Sequence, residues 1–382
     1  MIKYPVVYGT ILVGGVIFLG ITATQLGAQS RLPEWKLSQP RIVFGIDDID
    51  LHRVRGAQLM PGGRVAIADA GNARIVLFAG DGRVEKTIGR AGSGPGDFRG
   101  LTDIAVFGDT LLAYDGLLSK VSRWRADGTL VDAFQLPSVE ERPVGLRAFV
   151  SPNELLLTST ANHLGRRTGL YIDSVNLYRY SLGTRQLNKL NVLAWSYSFI
   201  YVQDGGSTGY LTPFLGNANV AAGGARIAQS ELTGARINIL NSSGAVEMSV
   251  ALPEAARTFD PAMVIRYRDS LLATARAIGD HSQRTAERIG AVFSETFPIP
   301  EHIPTIQRMR TVGNEVWIRV FGAGAGGMSR WYVLLPAQGR LVARVALPGD
   351  WDVLGGESGK VLILRRDDLG VETVGLFEIL KP

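Results

Sequence analysis

Two stretches of the chain match position for position 46 residues apart. Val65–Ala66–Ile67–Ala68–Asp69, a short turn, Arg74–Ile75–Val76–Leu77–Phe78 and Asp81–Gly82 recur as Leu111–Leu112–Ala113–Tyr114–Asp115, a turn, Lys120–Val121–Ser122–Arg123–Trp124 and Asp127–Gly128. A strand, a tight turn, a second strand and a hairpin turn at this period describe a propeller blade, whose apolar faces are buried only by its neighbours. The repeat therefore dictates a ring of small antiparallel sheets before any single residue is considered.

The frame continues along the chain. Arg226–Glu231 with Arg236–Leu240 and Ser243–Gly244 form a third clear copy, and Glu154–Leu157 with Val175–Tyr180 and Glu315–Val320 with Trp331–Leu335 and Gly339 are weaker ones. Lys360–Leu364 with Thr373–Phe377 is the last, and it runs out one strand short. The reading is an all-β, six-bladed β-propeller over residues 41–382. An unpaired sheet edge is a liability that ring closure removes, and Arg41–Ile42–Val43–Phe44–Gly45 has the β-branched and aromatic content of a strand. This segment is expected to pair beside Val374–Ile379 and join the last blade.

Composition fits many short strands: 46 Gly and 17 Pro in 382 residues supply turns at the density such a fold needs. The Ala-rich stretch Pro261–Ala291, with Arg276, Arg284 and Arg288, predicts one or two helices inserted between the fourth and fifth blades. Lys3 precedes an uncharged apolar run from Val6 to Ala23, followed by Leu26–Gly27–Ala28. Residues 1–28 read as a cleaved signal peptide or a retained membrane anchor, and 29–40 as a linker. Either way the rest of the chain is expected to be exported, periplasmic or cell-surface, touching a membrane only through that segment.

The chain has no cysteine, which excludes disulfides, thiolate nucleophiles, Cys-ligated metals and lipid attachment through Cys. The net charge is only +5, and no dense basic run with interleaved aromatics occurs, so nucleic acid is not an expected partner. Arg outnumbers Lys by 33 to 7, but the Arg are spread evenly, as a compositional bias would spread them.

Ala68–Asp69–Ala70–Gly71–Asn72–Ala73–Arg74–Ile75, the hairpin Asp81–Gly82 and Gly89–Arg90–Ala91–Gly92–Ser93–Gly94–Pro95–Gly96–Asp97–Phe98 resemble the NHL-type repeats of exported bacterial six-bladed β-propellers. The resemblance is strong over residues 56–136 and fades to pattern afterwards. It implies that Asp-x-x-Asn-x-Arg is a structural signature of the turn between strands. The second copy departs from it, with Leu118 where Asn72 would stand.

Several motifs suggest sharper chemistry. Gly92–Ser93–Gly94–Pro95–Gly96 resembles a phosphate loop but lacks the Gly-Lys-Ser/Thr and the helix that would follow it, and reads as a connector between blades. His52, His163, His281 and His302 are scattered, and Asp47–Asp48–Ile49–Asp50 lacks the Gly and Glu of a calcium loop. Calcium-dependent lactonases on six-bladed propellers gather Glu, Asn and Asp around an ion at the central channel. Asp103, Asn153, Asn217 and Asp352 are candidates for such a set, with calcium as the cofactor it would hold.

Propeller ligands bind where loops converge at the channel mouth. The longest departures from the repeat are Ala161–Ile172, Tyr197–Asn219 and the helical insertion. They are expected to cap one face, with His163, Arg166, Arg167, Tyr201, Tyr210, His281 and Arg284 as the candidate ligand-binding residues. The resulting reading is a monomeric binding or interaction module for a small molecule, peptide or protein, and the alternative is a metal-dependent hydrolase or lyase of the lactonase type.

Overall fold

The computed structural model describes residues 32–46, 49–159, 167–203, 206–211, 217–232, 235–254, 257–258, 260, 262–277, 279, 283–293, 302–323 and 327–382. The chain enters through β1 (Glu34–Leu37) and β2 (Ile42–Phe44), then builds one small antiparallel sheet after another. The first comprises β3 (Val54–Leu59), β4 (Val65–Asp69), β5 (Arg74–Phe78) and β6 (Val84–Ile88), and the second β7 (Leu101–Phe107), β8 (Thr110–Asp115), β9 (Lys120–Arg125) and β10 (Leu130–Gln135).

A short ladder, β11 (Ser138–Val139) with β12 (Arg142–Pro143), leads to a five-stranded sheet of β13 (Gly145–Ser151), β14 (Glu154–Thr158), β15 (Gly169–Ser181), β16 (Leu187–Gln203) and β17 (Gly206–Leu211). Next come β18 (Val220–Gly223), β19 (Arg226–Ser230), β20 (Arg236–Leu240) and β21 (Val246–Ala251). The helical insertion follows, with β22 (Arg257–Thr258), α1 (Ala262–Ala277), α2 (Gln283–Val292) and β23 (His302–Ile303), so the one or two helices expected there are two. The last sheets are β24 (Ile306–Val312), β25 (Glu315–Ala323), β26 (Met328–Leu335) and β27 (Arg340–Pro348), then β28 (Asp352–Glu357), β29 (Lys360–Arg366) and β30 (Glu372–Leu380). Among the described residues no helix is long and apolar enough to cross a membrane.

The arrangement is that of a β-propeller. The first strand of each sheet lies innermost: β3 sits beside β7 and β28, β24 beside β28 and β18, and β18 beside β13. Strands such as β4 are buried at every position because each face meets a neighbouring sheet. Phe98 and Trp124 of the second repeat fill the seam against Ile75 and Leu77 of the first, and Tyr178 and Tyr180 fill the next against Leu112 and Val121. Each buried Leu, Ile or Phe contributes about 1.5–3 kcal/mol of transfer free energy, so the stability of one sheet belongs to its neighbours as well.

The expected closing strand is observed. Ile42, Val43 and Phe44 of β2 pair antiparallel with Leu376, Gly375 and Val374 of β30. Within the segment read as a linker, β1 adds a second tie, because Glu34 and Trp35 pair parallel with β27 while Lys36 and Leu37 pair antiparallel with β30. The alternation of one apolar Trp and one Leu among charged residues is too short a pattern to announce a strand. Inside the ring, Gly355 lets β28 approach β3; a Cβ there would lie 2.3 Å from the Ala57 carbonyl.

The repeat's polar signature is structural. The buried Asp69 carboxylate accepts hydrogen bonds from the His52 N–H at 2.8 Å, Asn72 Nδ2 at 2.9 Å and Arg74 Nε at 2.7 Å. In the second copy Asp115 accepts the N–H groups of Arg99, Gly100 and Leu118 at 2.6, 2.9 and 2.9 Å. Leu118 thus supplies from its backbone what Asn72 supplies from its side chain. The Gly-rich connector is no anion cradle either: its carbonyls point inward, with Gly94 and Asp97 accepting from Lys120 Nζ and Pro95 from Ser122 Oγ.

Candidate functional site

Register fixes which end of the channel is elaborated. Thr158, the last residue of β14, pairs with Gly145 at the start of β13 and with Leu177 of β15. Residues 169–176 of β15, their partners on β16, and β17 therefore project beyond the edge at which the innermost strands begin. The helical insertion leaves β21 and returns to the start of β24 at that same edge. Phe199, Val264, Ile289, Val292 and Phe293 bury one another, flanked by Leu170, Tyr197, Tyr201 and Tyr267. The described parts of the three long insertions thus share one core.

Within this core Tyr267 and Phe293 meet edge-on, 5.2 Å between centroids at 87°. Phe293→Leu is expected to loosen the helices by about 1–2 kcal/mol. Limited proteolysis should then cut the insertion on the order of tenfold faster while the main melting midpoint holds. A parallel fall in that midpoint would show that the cap and the ring unfold as one unit.

Of the candidate residues, Tyr201 lies half-buried against this core, and Arg167 is exposed with its carbonyl accepting from the Tyr171 hydroxyl at 3.0 Å. Tyr210 is placed on β17 opposite Phe199, and Arg284 on α2. His163, Arg166 and His281 lie outside the described residues.

At the edge from which the insertions project, the innermost strands bring together charges that lie far apart in the sequence. Arg308 pairs with Asp352 across the β24–β28 boundary. Arg310, two residues further along β24, lies within electrostatic reach of Asp103 on β7, Asp352, Arg308 and Arg55 on β3. Its Nε is buried and has no hydrogen-bond partner among the described residues, and neither has Asp352 Oδ1. Burial lifts the Asp103 carboxyl above its usual range, with Arg310 the largest opposing influence, and burial likewise lowers the Arg310 guanidinium.

Two further guanidiniums are committed. Arg147 donates to Thr158 Oγ1 at 2.7 Å and lies 4.3 Å over the Trp195 ring, tying β13 to the root of the cap. Arg319 donates to the Gly349 carbonyl at 2.7 Å. The signal for the channel cluster is Arg308-x-Arg310 in a strand whose Ile306, Met309 and Val312 are buried, but only the ring brings Asp103 within reach of it.

The calcium set does not assemble. Asp103 and Asp352 do converge, but guanidiniums stand in the cation's place, while Asn153 sits on the β13–β14 turn at the far edge and Asn217 bridges to Ser196. Among the described residues no group of three His, Asp or Glu is placed to hold a metal ion.

Arg310→Met removes the main charge opposing the rise of the Asp103 carboxyl. A carboxyl raised in the folded state binds its proton more tightly than in the unfolded chain, so its stabilisation is complete below about pH 4 and is lost as pH rises through the folded value. The variant is expected to lose about 1–2 kcal/mol more than the parent between pH 4.5 and pH 7.5. Equal pH slopes in thermal melts would break the assigned coupling.

Neither a family model nor a curated protein matches the chain. Among solved structures it resembles a protein from Bacteroides fragilis whose export is inferred, at 11% identity and TM-score 0.50, covering 93% of this chain and 96% of that one. A member of the DUF4221 family from Bacteroides vulgatus matches at 10% identity and TM-score 0.50, covering 92% and 100%. At these identities the likeness concerns the fold alone.

Proposed function

We propose that the chain is an exported six-bladed β-propeller with NHL-type repeats, serving as a binding module whose ligand sits at the channel mouth under the cap. The observation that carries this reading is the coincidence of two features at one edge: the shared core of the three insertions and the charged cluster on the innermost strands. A rigid ring that presents converging loops at one end is suited to selective binding. Export is supported by the apolar stretch Val6–Ala23 and by the inferred export of the Bacteroides fragilis protein.

Hydrogen exchange on the full exported chain tests the reading. Bound small molecules or peptides should protect amides at the starts of β3, β7, β24 and β28; protection confined to outer strands or to the opposite edge would overturn it. The metal-dependent hydrolase or lyase alternative makes a different forecast, stoichiometric calcium whose removal lowers the melting point. The pairing of Arg308 with Asp352 favours the binding module.

A further inference from the structure

We propose that the channel mouth takes an organic anion that also carries a hydroxyl group, a hydroxycarboxylate or a phosphorylated polyol. The proposal rests on the channel-mouth reading and gives it a ligand chemistry. Arg55, Arg308 and Arg310 on the innermost strands, with Arg319 next to them on β25, share one electrostatic neighbourhood with two carboxylates, Asp103 and Asp352, an excess of two positive charges. A low-dielectric channel strengthens the pull of that excess on an anion.

The hydrogen-bonding inventory narrows the ligand further. Among the described residues Arg310 Nε is a buried donor without a partner, and Asp352 Oδ1 is a buried acceptor without one. Each such group costs on the order of 1–3 kcal/mol while unsatisfied, and one ligand bearing both an anionic oxygen and a hydroxyl repays both. A simple anion would satisfy the guanidinium and leave the carboxylate oxygen facing like charge. Arg55 is exposed, lies within electrostatic reach of Arg310, and is placed to meet the ligand at the entrance.

The test is hydrogen exchange and thermal shift on the full chain with malate, glycerol 3-phosphate, succinate and glycerol at matched ionic strength. Malate and glycerol 3-phosphate should protect the innermost strands and raise the melting point, succinate should bind about tenfold more weakly, and glycerol should have no effect. Arg310→Lys keeps the charge but loses the guanidinium fork, and Arg55→Gln changes only an exposed side chain; each should weaken malate binding about tenfold without unfolding the protein. Channel protection by glycerol equal to that by malate would overturn the charge assignment and leave the channel-mouth reading standing. Protection by none of the four would overturn the proposal, whereas protection confined to outer strands would sink both. Unchanged malate affinity in Arg55→Gln and Arg310→Lys would likewise refute it.

Discussion

Deleting residues 32–46 lowers the melting transition of the whole domain, in a single step seen equally by far-ultraviolet circular dichroism and by tryptophan fluorescence. The expectation follows from where two side chains sit. Phe44 is fully buried between the first and last sheets, 5.1 Å from the Phe78 ring and among Val54, Leu362 and Leu376. Trp35 is buried in the other seam of the last sheet, among Trp317, Trp331 and Phe377.

One short segment therefore stitches both sides of the last sheet. Truncating a buried Phe or Trp to alanine costs about 3–5 kcal/mol, and the two sites lie in separate clusters, so their costs add to roughly 6–10 kcal/mol. Whole domains are stable by only about 5–15 kcal/mol. Trp35→Ala/Phe44→Ala should reproduce most of the deletion's effect, while Arg41→Ala, which breaks an exposed ion pair with Glu378, should cost less than about 1 kcal/mol. Fraying of the ends with an unchanged midpoint, or two separate transitions, would show that the ring does not depend on its clasp.

The part of this design that sequence reveals is the part with a period. Val65–Phe78 and Leu111–Trp124 announce their sheets because apolar residues, turns and Asp-Gly hairpins recur in one frame, and β2 announces itself because the last repeat lacks a strand. Strand β1 has no such signature: only Trp35 and Leu37 are apolar, and its partners are more than 300 residues away. The channel cluster is harder still, because Arg55, Asp103, Arg310 and Asp352 come from four different strands, β3, β7, β24 and β28, and nothing local marks them as neighbours. Asp103 and Asp352 do stand out as acids near the starts of repeats, yet the guanidiniums that decide their chemistry become visible only when the ring closes.

Asp69→Ala is expected to destabilise the domain by about 3–5 kcal/mol, although the residue touches no candidate ligand site. Its carboxylate is fully buried and gathers the His52 N–H, Asn72 Nδ2 and Arg74 Nε, while Asn72 and Arg74 also donate to the Asp50 carbonyl. Removing it strands one guanidinium and two amide donors at the entrance to β3, where water replaces the lost partners only by opening the turn. Asp69→Asn keeps the shape and one acceptor oxygen but turns an N–H toward a donor, so it should cost less, about 1–3 kcal/mol. The ordering parent, Asn, Ala in urea melts, with one transition throughout, is the expected result. An alanine variant as stable as the parent would mean that the signature is dispensable to the turn, and the residues that most resemble a family motif would then need a role beyond the structural one assigned to them.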